Sequence, residues 1–205
     1  MLRSLALFVA LLTPPVHAEG PQAVAAALKQ GGYVIVFRHG ATTADKGTAD
    51  PMGAGRGKST STERQLSAFG RQTAREIGDA FKTLQIPIGA VYTSQLNRAV
   101  ETGRLISGKE TSASADFTES GEHVEPAEGD RRAQAMRKVA ATSPAKGMNT
   151  IVVSHKPNIV DAFGTDWSDV REGEASIFKP DGKGGYALIA RVQAVDWARL
   201  AQAAP

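Results

Sequence analysis

Residues 34–40 read VIVFRHG, a run of β-branched and aromatic residues that ends in a cation, an imidazole and a glycine. Similar runs occur at residues 91–94 (VYTS) and 151–155 (IVVSH). Short apolar runs bounded by Gly, Ser or Thr are typical of strands buried on both faces of a parallel sheet. Ligands bind at the carboxyl ends of such strands, so the side chains placed there should converge. The expected set is Arg38, His39, Arg98 and His155.

The rest of the chain predicts helices alternating with these strands. Apolar residues at three- and four-residue steps, including Phe69 and Ile77, predict a helix from Ser67 that Pro87 terminates. The other predicted helices are residues 21–30, 96–107, 131–141, 196–203 and one that begins near Pro157. The further predicted strands are 88–93, 113–117, 150–154 and a hairpin of 175–179 with 186–192. This order indicates an α/β fold: a single three-layer domain with a mainly parallel central sheet flanked by helices.

The first 18 residues are typical of a secretory signal peptide. Arg3 supplies a positive start, residues 5–12 are apolar, and residues 16–18 form a small-x-small cleavage site. Residues 5–12 are too short to span a membrane, which takes about 20 apolar residues. We therefore expect a mature single domain of residues 19–205 in a periplasmic or secreted location, with no stable membrane insertion after signal cleavage.

Composition excludes several classes of function. The 205 residues include no cysteine, which removes disulfides, thiolate nucleophiles and Cys-based zinc sites. The formal net charge is only +3 and no run of Lys or Arg occurs, so nucleic acid is not an expected partner. His39 and His155 as metal ligands would need a third ligand, and His123 lacks the spacing of a zinc motif. We therefore expect no metal.

The four converging side chains suit phosphoryl transfer, which needs a nucleophile, cations for the phosphate oxygens and an acid for the leaving oxygen. His39 could attack through one ring nitrogen if a backbone carbonyl held the other. Arg38 and Arg98 offer planar forks that match phosphate oxygens. His155 could add a further donor. Together they predict an electropositive pocket for a phosphate group.

Five segments resemble the histidine phosphatase (phosphoglycerate mutase-like) superfamily. They are RHGAT at 38–42, LSAFGRQTA at 66–74, TSQLNRAVET at 93–102, VSH at 153–155 and GEAS at 173–176. The resemblance runs in order from about residue 33 to 192. It implies a phosphoglycerate mutase-like fold, a phosphohistidine intermediate on His39, hydrolysis by water, and neither a metal nor another cofactor. The substrate pocket that it implies contains Arg38, Arg98, His155 and Thr42.

A carboxyl group usually supplies the proton in this family. Glu119 follows the third predicted strand, occupies the matching region and is the predicted general acid. Glu122 and Glu125 lie in the same acidic loop and remain alternatives.

Three positions depart from the family pattern. Ala41 replaces the Glu that often follows Arg-His-Gly, and Asp45 replaces an Asn five residues after that Gly. A phosphate would repel Asp45, so we expect this side chain to turn away or to contact another part of the substrate. Lys156 replaces the Gly that often follows the second histidine, and either extends the anion site or points to water.

These observations predict an exported phosphatase that hydrolyses phosphate monoesters, or a phosphoramidate, through His39. Its expected substrate is a phosphorylated small molecule or an envelope glycan phosphate. The alternative is a non-catalytic phosphate-binding or envelope interaction module that retains the same pocket. The presence of His39 favours the enzyme, because arginines alone could serve binding.

Overall fold

The computed structural model describes residues 21–43, 63–119 and 124–202, which form one α/β domain. The predicted signal peptide lies outside these residues, as do Asp45, Glu122 and His123. Among the described residues, no helix has the length and apolar character needed to cross a bilayer.

One six-stranded sheet forms the middle layer. Its strands are β1 (Val34–Arg38), β2 (Ile88–Ser94), β3 (Ser112–Ser114), β4 (Asn149–Ser154), β5 (Ala175–Pro180) and β6 (Tyr186–Val192). The strand order is β3-β2-β4-β1-β5-β6. The first four in that order are parallel, whereas β5 and β6 run antiparallel as a hairpin. The mainly parallel sheet predicted from the sequence is therefore confirmed.

Helices cover both faces of the sheet. They are α1 (Pro21–Gln30), α2 (Ala68–Thr83), α3 (Asn97–Ser107), α4 (Pro126–Ala140), α5 (Lys156–Phe163) and α6 (Ala194–Gln202), with short 3-10 turns at Ala115–Phe117 and Thr165–Trp167. One apolar core joins α1, α2, α3 and α6 to the sheet, and a second joins α4 and α5 to its other face. This three-layer arrangement agrees with the predicted one.

Two element boundaries differ from the sequence prediction. Helix α4 begins at Pro126 rather than at Arg131, because proline suits the first turn of a helix, where its missing N–H costs nothing. The predicted edge strand 113–117 ends at Ser114, whose hydroxyl accepts the Asp116 N–H and starts a 3-10 turn.

The prediction that Phe69 belongs to the buried face of α2 was wrong. Its side chain is 69% exposed. The buried stripe of the helix runs through Gly70, Ala74, Ile77 and Phe81, so Phe69 lies one residue outside it.

Strand register places the carboxyl ends of β1, β2 and β4 level with one another. Arg38 pairs with Ser154 in the parallel β1–β4 ladder, so His39 and His155 leave the sheet as neighbours. On the other side of β4, Thr93 of β2 pairs with Val153. The ends of three parallel strands therefore deliver polar side chains to one edge, as the sequence predicts.

Candidate active site

His39 is buried, with 2% of its surface exposed. Its Nδ1 lies 2.8 Å from the Gly40 carbonyl oxygen. A carbonyl oxygen can only accept, so Nδ1 carries the proton and Nε2 keeps its lone pair. Burial, followed by the positive charge of Arg98, lowers the pKa of His39 from 6.5 to about 3. The imidazole is therefore neutral near neutral pH, with a fixed tautomer.

His155 faces His39 across the site. Their ring centroids lie 5.2 Å apart and the ring planes are inclined by 56°. His155 is 1% exposed, and its Nδ1 is buried without a hydrogen-bond partner among the described residues. Burial, then the neighbouring His39 and the positive charge of Arg98, hold the pKa of His155 well below its ordinary value. A buried, unsatisfied ring nitrogen at this position points to a ligand.

Ser94 contacts the other nitrogen of His155. Its Oγ lies 2.7 Å from His155 Nε2 and also accepts the N–H of Leu96 at 3.1 Å. The Ser94 hydroxyl can then donate to Nε2, which leaves Nδ1–H as the donor of the ring. The sequence analysis assigned no role to Ser94, although a polar residue at a strand end was the available signal.

Arg98 is fully buried and lies between two carboxylates. Its Nη2 is 2.5 Å from Glu119 Oε2, and its Nη1 is 3.9 Å from Glu63 Oε1. The same Glu63 oxygen accepts the backbone N–H of Asn97 at 2.5 Å. A buried guanidinium is costly without opposite charge, and these carboxylates offset that cost. The sequence analysis missed Glu63, which follows a long loop and belongs to no motif.

The Arg38 guanidinium is held by two groups from the segment of residues 170–172. Its Nη1 donates to the Val170 carbonyl oxygen at 2.9 Å, and its Nη2 lies 3.6 Å from Glu172 Oε1. Its Nε is buried and has no partner within the described segments. Burial lowers the pKa of Arg38 from its ordinary value, although Glu172 opposes the shift. The Thr42 hydroxyl donates to the same Glu172 oxygen at 3.3 Å.

Arg64 is a further cation near the site that the sequence analysis missed. Its positive charge is among the causes that lower the pKa values of His39, His155 and Arg38. Its effect on all three groups indicates that it adds to the positive potential of the site.

Glu119 is placed by the backbone around it. The carbonyl oxygens of residues 117–119 accept hydrogen bonds from Ser154 Oγ at 2.7 Å, Asn158 Nδ2 at 2.8 Å and Arg132 Nη1 at 2.9 to 3.0 Å. Two of these donors lie at the end of β4 and on α5. The backbone that carries Glu119 is therefore tied to the strand end that precedes His155.

Glu125, an alternative general acid, and Lys156, a candidate extension of the anion site, both lie at the starts of helices. Glu125 is exposed at the residue before α4, and Lys156 is exposed at the first residue of α5. In the three described stretches of chain, no group of three or more His, Asp or Glu side chains is arranged to hold a metal ion.

The side chains of Arg38, His39, Arg98 and His155 form a charged cluster. A cavity of about 310 Å³ lies beside it. Its walls come from α2, the start of α6 and the turn at residues 171–173, and it reaches Gly40 and Ala41. None of its lining residues is His39, His155, Arg38 or Arg98, so it flanks the charged cluster and is separate from it. The two imidazoles and the cations meet in the charged cluster, which is therefore the candidate active site.

Comparison with known families and structures identifies a relationship. A model of the histidine phosphatase superfamily (branch 1) matches residues 34–124, which contain β1, Arg98 and Glu119. No curated protein matches the sequence.

Several solved structures share the fold. A protein histidine phosphatase SixA complexed with tungstate has a TM-score of 0.57 and 16% identity, covering 80% of this chain and 98% of that one. A phosphoserine phosphatase from Entamoeba histolytica, in complex with 3-phosphoglyceric acid, has a TM-score of 0.57 and 17% identity, with the same coverage. A putative phosphohistidine phosphatase SixA from Agrobacterium tumefaciens has a TM-score of 0.52 and 14% identity, covering 78% and 97%.

At these identities the solved structures bear on the fold alone. The family model bears on the sequence of residues 34–124, which contain Arg38, His39, Arg98 and Glu119. The solved structures agree with the arrangement of strands described above. Residues 34–124 are similar to the histidine phosphatase superfamily, and the domain as a whole has the fold of the solved structures named above.

Proposed function

We propose that this protein is an exported phosphatase that hydrolyses phosphate monoesters through a phosphohistidine on His39. The observation that carries the proposal is the 2.8 Å contact between His39 Nδ1 and the Gly40 carbonyl oxygen, which makes Nδ1 the donor of this ring. Burial, which lowers the pKa of His39 to about 3, agrees with a neutral ring. Nε2 therefore offers a lone pair without prior loss of a proton. This is the requirement for a nitrogen nucleophile at neutral pH.

Arg38, Arg98 and His155 are the proposed anion site. The Nε of Arg38 and the Nδ1 of His155 are both buried without a partner among the described residues. Both atoms are donors in the protonation states argued above, and a phosphate supplies acceptor oxygens. Negative charge that develops on those oxygens would be stabilised by donors already in place. Thr42 and Arg38 share a contact with Glu172 Oε1. We propose that Thr42 lines the substrate pocket next to Arg38.

Glu119 is the proposed general acid. Its carboxylate is paired with Arg98. A bound phosphate dianion would compete for that guanidinium and add negative charge nearby, and both effects raise the pKa of the carboxyl. Glu119 would then bind a proton and could deliver it to the leaving oxygen.

The reaction has two balanced steps. In the first, the Nε2 lone pair forms a bond to phosphorus, the bond from phosphorus to the ester oxygen breaks, and that oxygen takes the Glu119 proton. In the second, a water oxygen attacks phosphorus while Glu119 accepts the water proton. The N–P bond breaks, its electron pair returns to His39, and inorganic phosphate leaves.

The substrate class follows from the proposed location. The pattern of residues 1–18 supports export, which favours phosphorylated small molecules or envelope glycan phosphates over intracellular metabolites. Two structural neighbours are described as protein histidine and phosphoserine phosphatases. A phosphoramidate such as phosphohistidine therefore belongs in any substrate panel beside the monoesters.

A trapping experiment tests the proposal. The purified protein is incubated with a radiolabelled phosphate ester, quenched and analysed for acid-labile phosphate. We expect label on His39, release of phosphate by the wild type, and neither in His39→Asn. Wild-type protein that binds inorganic phosphate but is not labelled and releases no phosphate from the panel would instead be a non-catalytic binding module. Cell fractionation with processing of the first 18 residues tests export separately.

A further inference from the structure

Glu174, just before β5, is a buried carboxylate that the proposed reaction does not use. Its side chain is 0% exposed. Oε1 accepts Arg191 Nε at 2.6 Å, while Oε2 accepts Gln193 Nε2 at 2.6 Å and the backbone N–H of Arg171 at 3.1 Å. The carboxylate therefore ties the end of β6 to the turn formed by residues 170–173.

That turn and the residue after it form backbone hydrogen bonds with the carboxyl end of β1. The Gly173 N–H lies 3.1 Å from the Arg38 carbonyl oxygen and 3.0 Å from that of His39, and the Arg38 N–H donates to the Glu174 carbonyl oxygen at 3.1 Å. The same turn carries Val170, whose carbonyl oxygen binds Arg38 Nη1. Backbone and guanidinium of Arg38 are thus held by one short segment.

We propose that Glu174 is a positioning residue for the Arg38 guanidinium. By anchoring the turn at residues 170–173, it keeps the Val170 carbonyl oxygen on one edge of the guanidinium and leaves the buried Nε for an oxyanion. The inference rests on the proposed function in one respect, since it takes phosphate as the anion that Arg38 binds.

The physical basis is preorganisation. A free arginine side chain loses rotamer entropy when it is immobilised. An arginine already held by the protein has lost that entropy during folding, so the anion binds more tightly. Weakening the anchor should therefore reduce phosphate affinity in the folded protein, which a contribution to stability alone would not do.

Calorimetric titration with inorganic phosphate measures this effect without turnover. We expect Glu174→Gln to raise the Kd for phosphate by roughly 3- to 30-fold, which lies within the roughly 2- to 150-fold range of coupling between residues of one hydrogen-bond network. Arg38→Lys should raise it as well. In the Arg38→Lys background, Glu174→Gln should add less than about twofold, because the group that it positions is gone.

Asp169→Asn is the matched control, because this exposed carboxylate also binds Arg191, at 2.7 Å, whereas of the two carboxylates it is Glu174 that accepts the backbone N–H of Arg171 in the turn. It should leave the phosphate Kd unchanged. If Glu174→Gln does not fold by circular dichroism, Gln193→Leu decides, since it removes only one donor to Glu174 and should raise the Kd at least about twofold.

Additive effects of Glu174→Gln and Arg38→Lys, or an unchanged Kd in folded Glu174→Gln or Gln193→Leu, would overturn the inference. So would wild-type protein that binds no phosphate. Wild type that binds phosphate yet fails the trapping experiment would refute the proposed function and leave the positioning inference standing.

Discussion

The Ser94 hydroxyl oxygen lies 2.7 Å from Nε2 of His155, on the side of the ring away from the unpartnered Nδ1. The contact joins the end of β2 to the residue that follows β4. It determines which nitrogen of His155 is free to donate to a substrate.

Removing this contact should slow the reaction. We expect Ser94→Ala to lower kcat about tenfold, the effect of losing one hydrogen bond of about 1.4 kcal/mol in the transition state. Steady-state kinetics on a phosphate ester would measure it. Ser112→Ala, an exposed serine on β3, is the control and should be silent. Equal kcat values for Ser94→Ala and wild type would show that the contact does not orient His155.

Glu119→Gln should separate binding from chemistry. Loss of the negative charge beside Arg98 should lower the Kd for inorganic phosphate, because the carboxylate no longer competes with the anion for the guanidinium. Loss of the proton donor should reduce kcat by about 10²- to 10⁴-fold. Phosphate titration and steady-state kinetics on the same preparation would show both changes.

Glu125→Gln is the matched control for that experiment, since Glu125 is exposed before α4. A large loss of kcat in Glu125→Gln, with Glu119→Gln unaffected, would transfer the role of general acid to the later residue.

The buried state of His39 predicts a pH dependence of stability. Its pKa is about 3 in the folded protein and near 6.5 when unfolded, so between these values the unfolded chain binds more protons. The free energy of unfolding should therefore fall as pH drops from 6.5 towards 3, by up to about 1.4 kcal/mol per pH unit from this group.

Chemical denaturation at several pH values would measure that slope, and His39→Asn should make it shallower. Proton NMR offers a direct check: the His39 ring signal should not titrate between pH 8 and 5. A titration midpoint near 6.5 would contradict the neutral, buried imidazole on which the nucleophile depends.

Close packing of α2 against the segment after His39 predicts a steric effect. A Cβ at Gly70 would lie only 2.0 Å from the Ala41 carbonyl oxygen, and this contact is with backbone. Gly70→Ala should therefore cost about 1–3 kcal/mol of stability or more and should lower activity. A Cβ at Gly129 in α4 would meet nothing within 4 Å. Gly129→Ala should therefore stabilise the folded protein by up to about 1 kcal/mol. Thermal unfolding of the two variants would test the opposite signs.

Much of the fold could be predicted locally. Helix α1 and the hairpin strand β6 have the predicted bounds, because glycines and a polar turn delimit them in the sequence. The start of α4 and the end of β3 were missed, since Pro126 and the Ser114 hydroxyl act through fine local geometry that apolar periodicity does not reveal.

In the candidate site, too, some residues could be predicted from the sequence and some contacts could not. Arg38, His39 and His155 could be placed because each directly ends or follows a buried strand, and Arg98 because it begins the helix after one. The contacts of Glu63, Ser94 and Glu174 could not, because their partners are distant in sequence and only packing brings them together.

The sequence by itself determined the alternation of strands and helices and the residues at each strand end, since local side-chain pattern and turn chemistry specify both. Only the tertiary structure decided which carboxylate meets which arginine and which imidazole nitrogen remains free. Those contacts depend on strand register and on the burial of charge, which arise when segments far apart in the chain pack against one another.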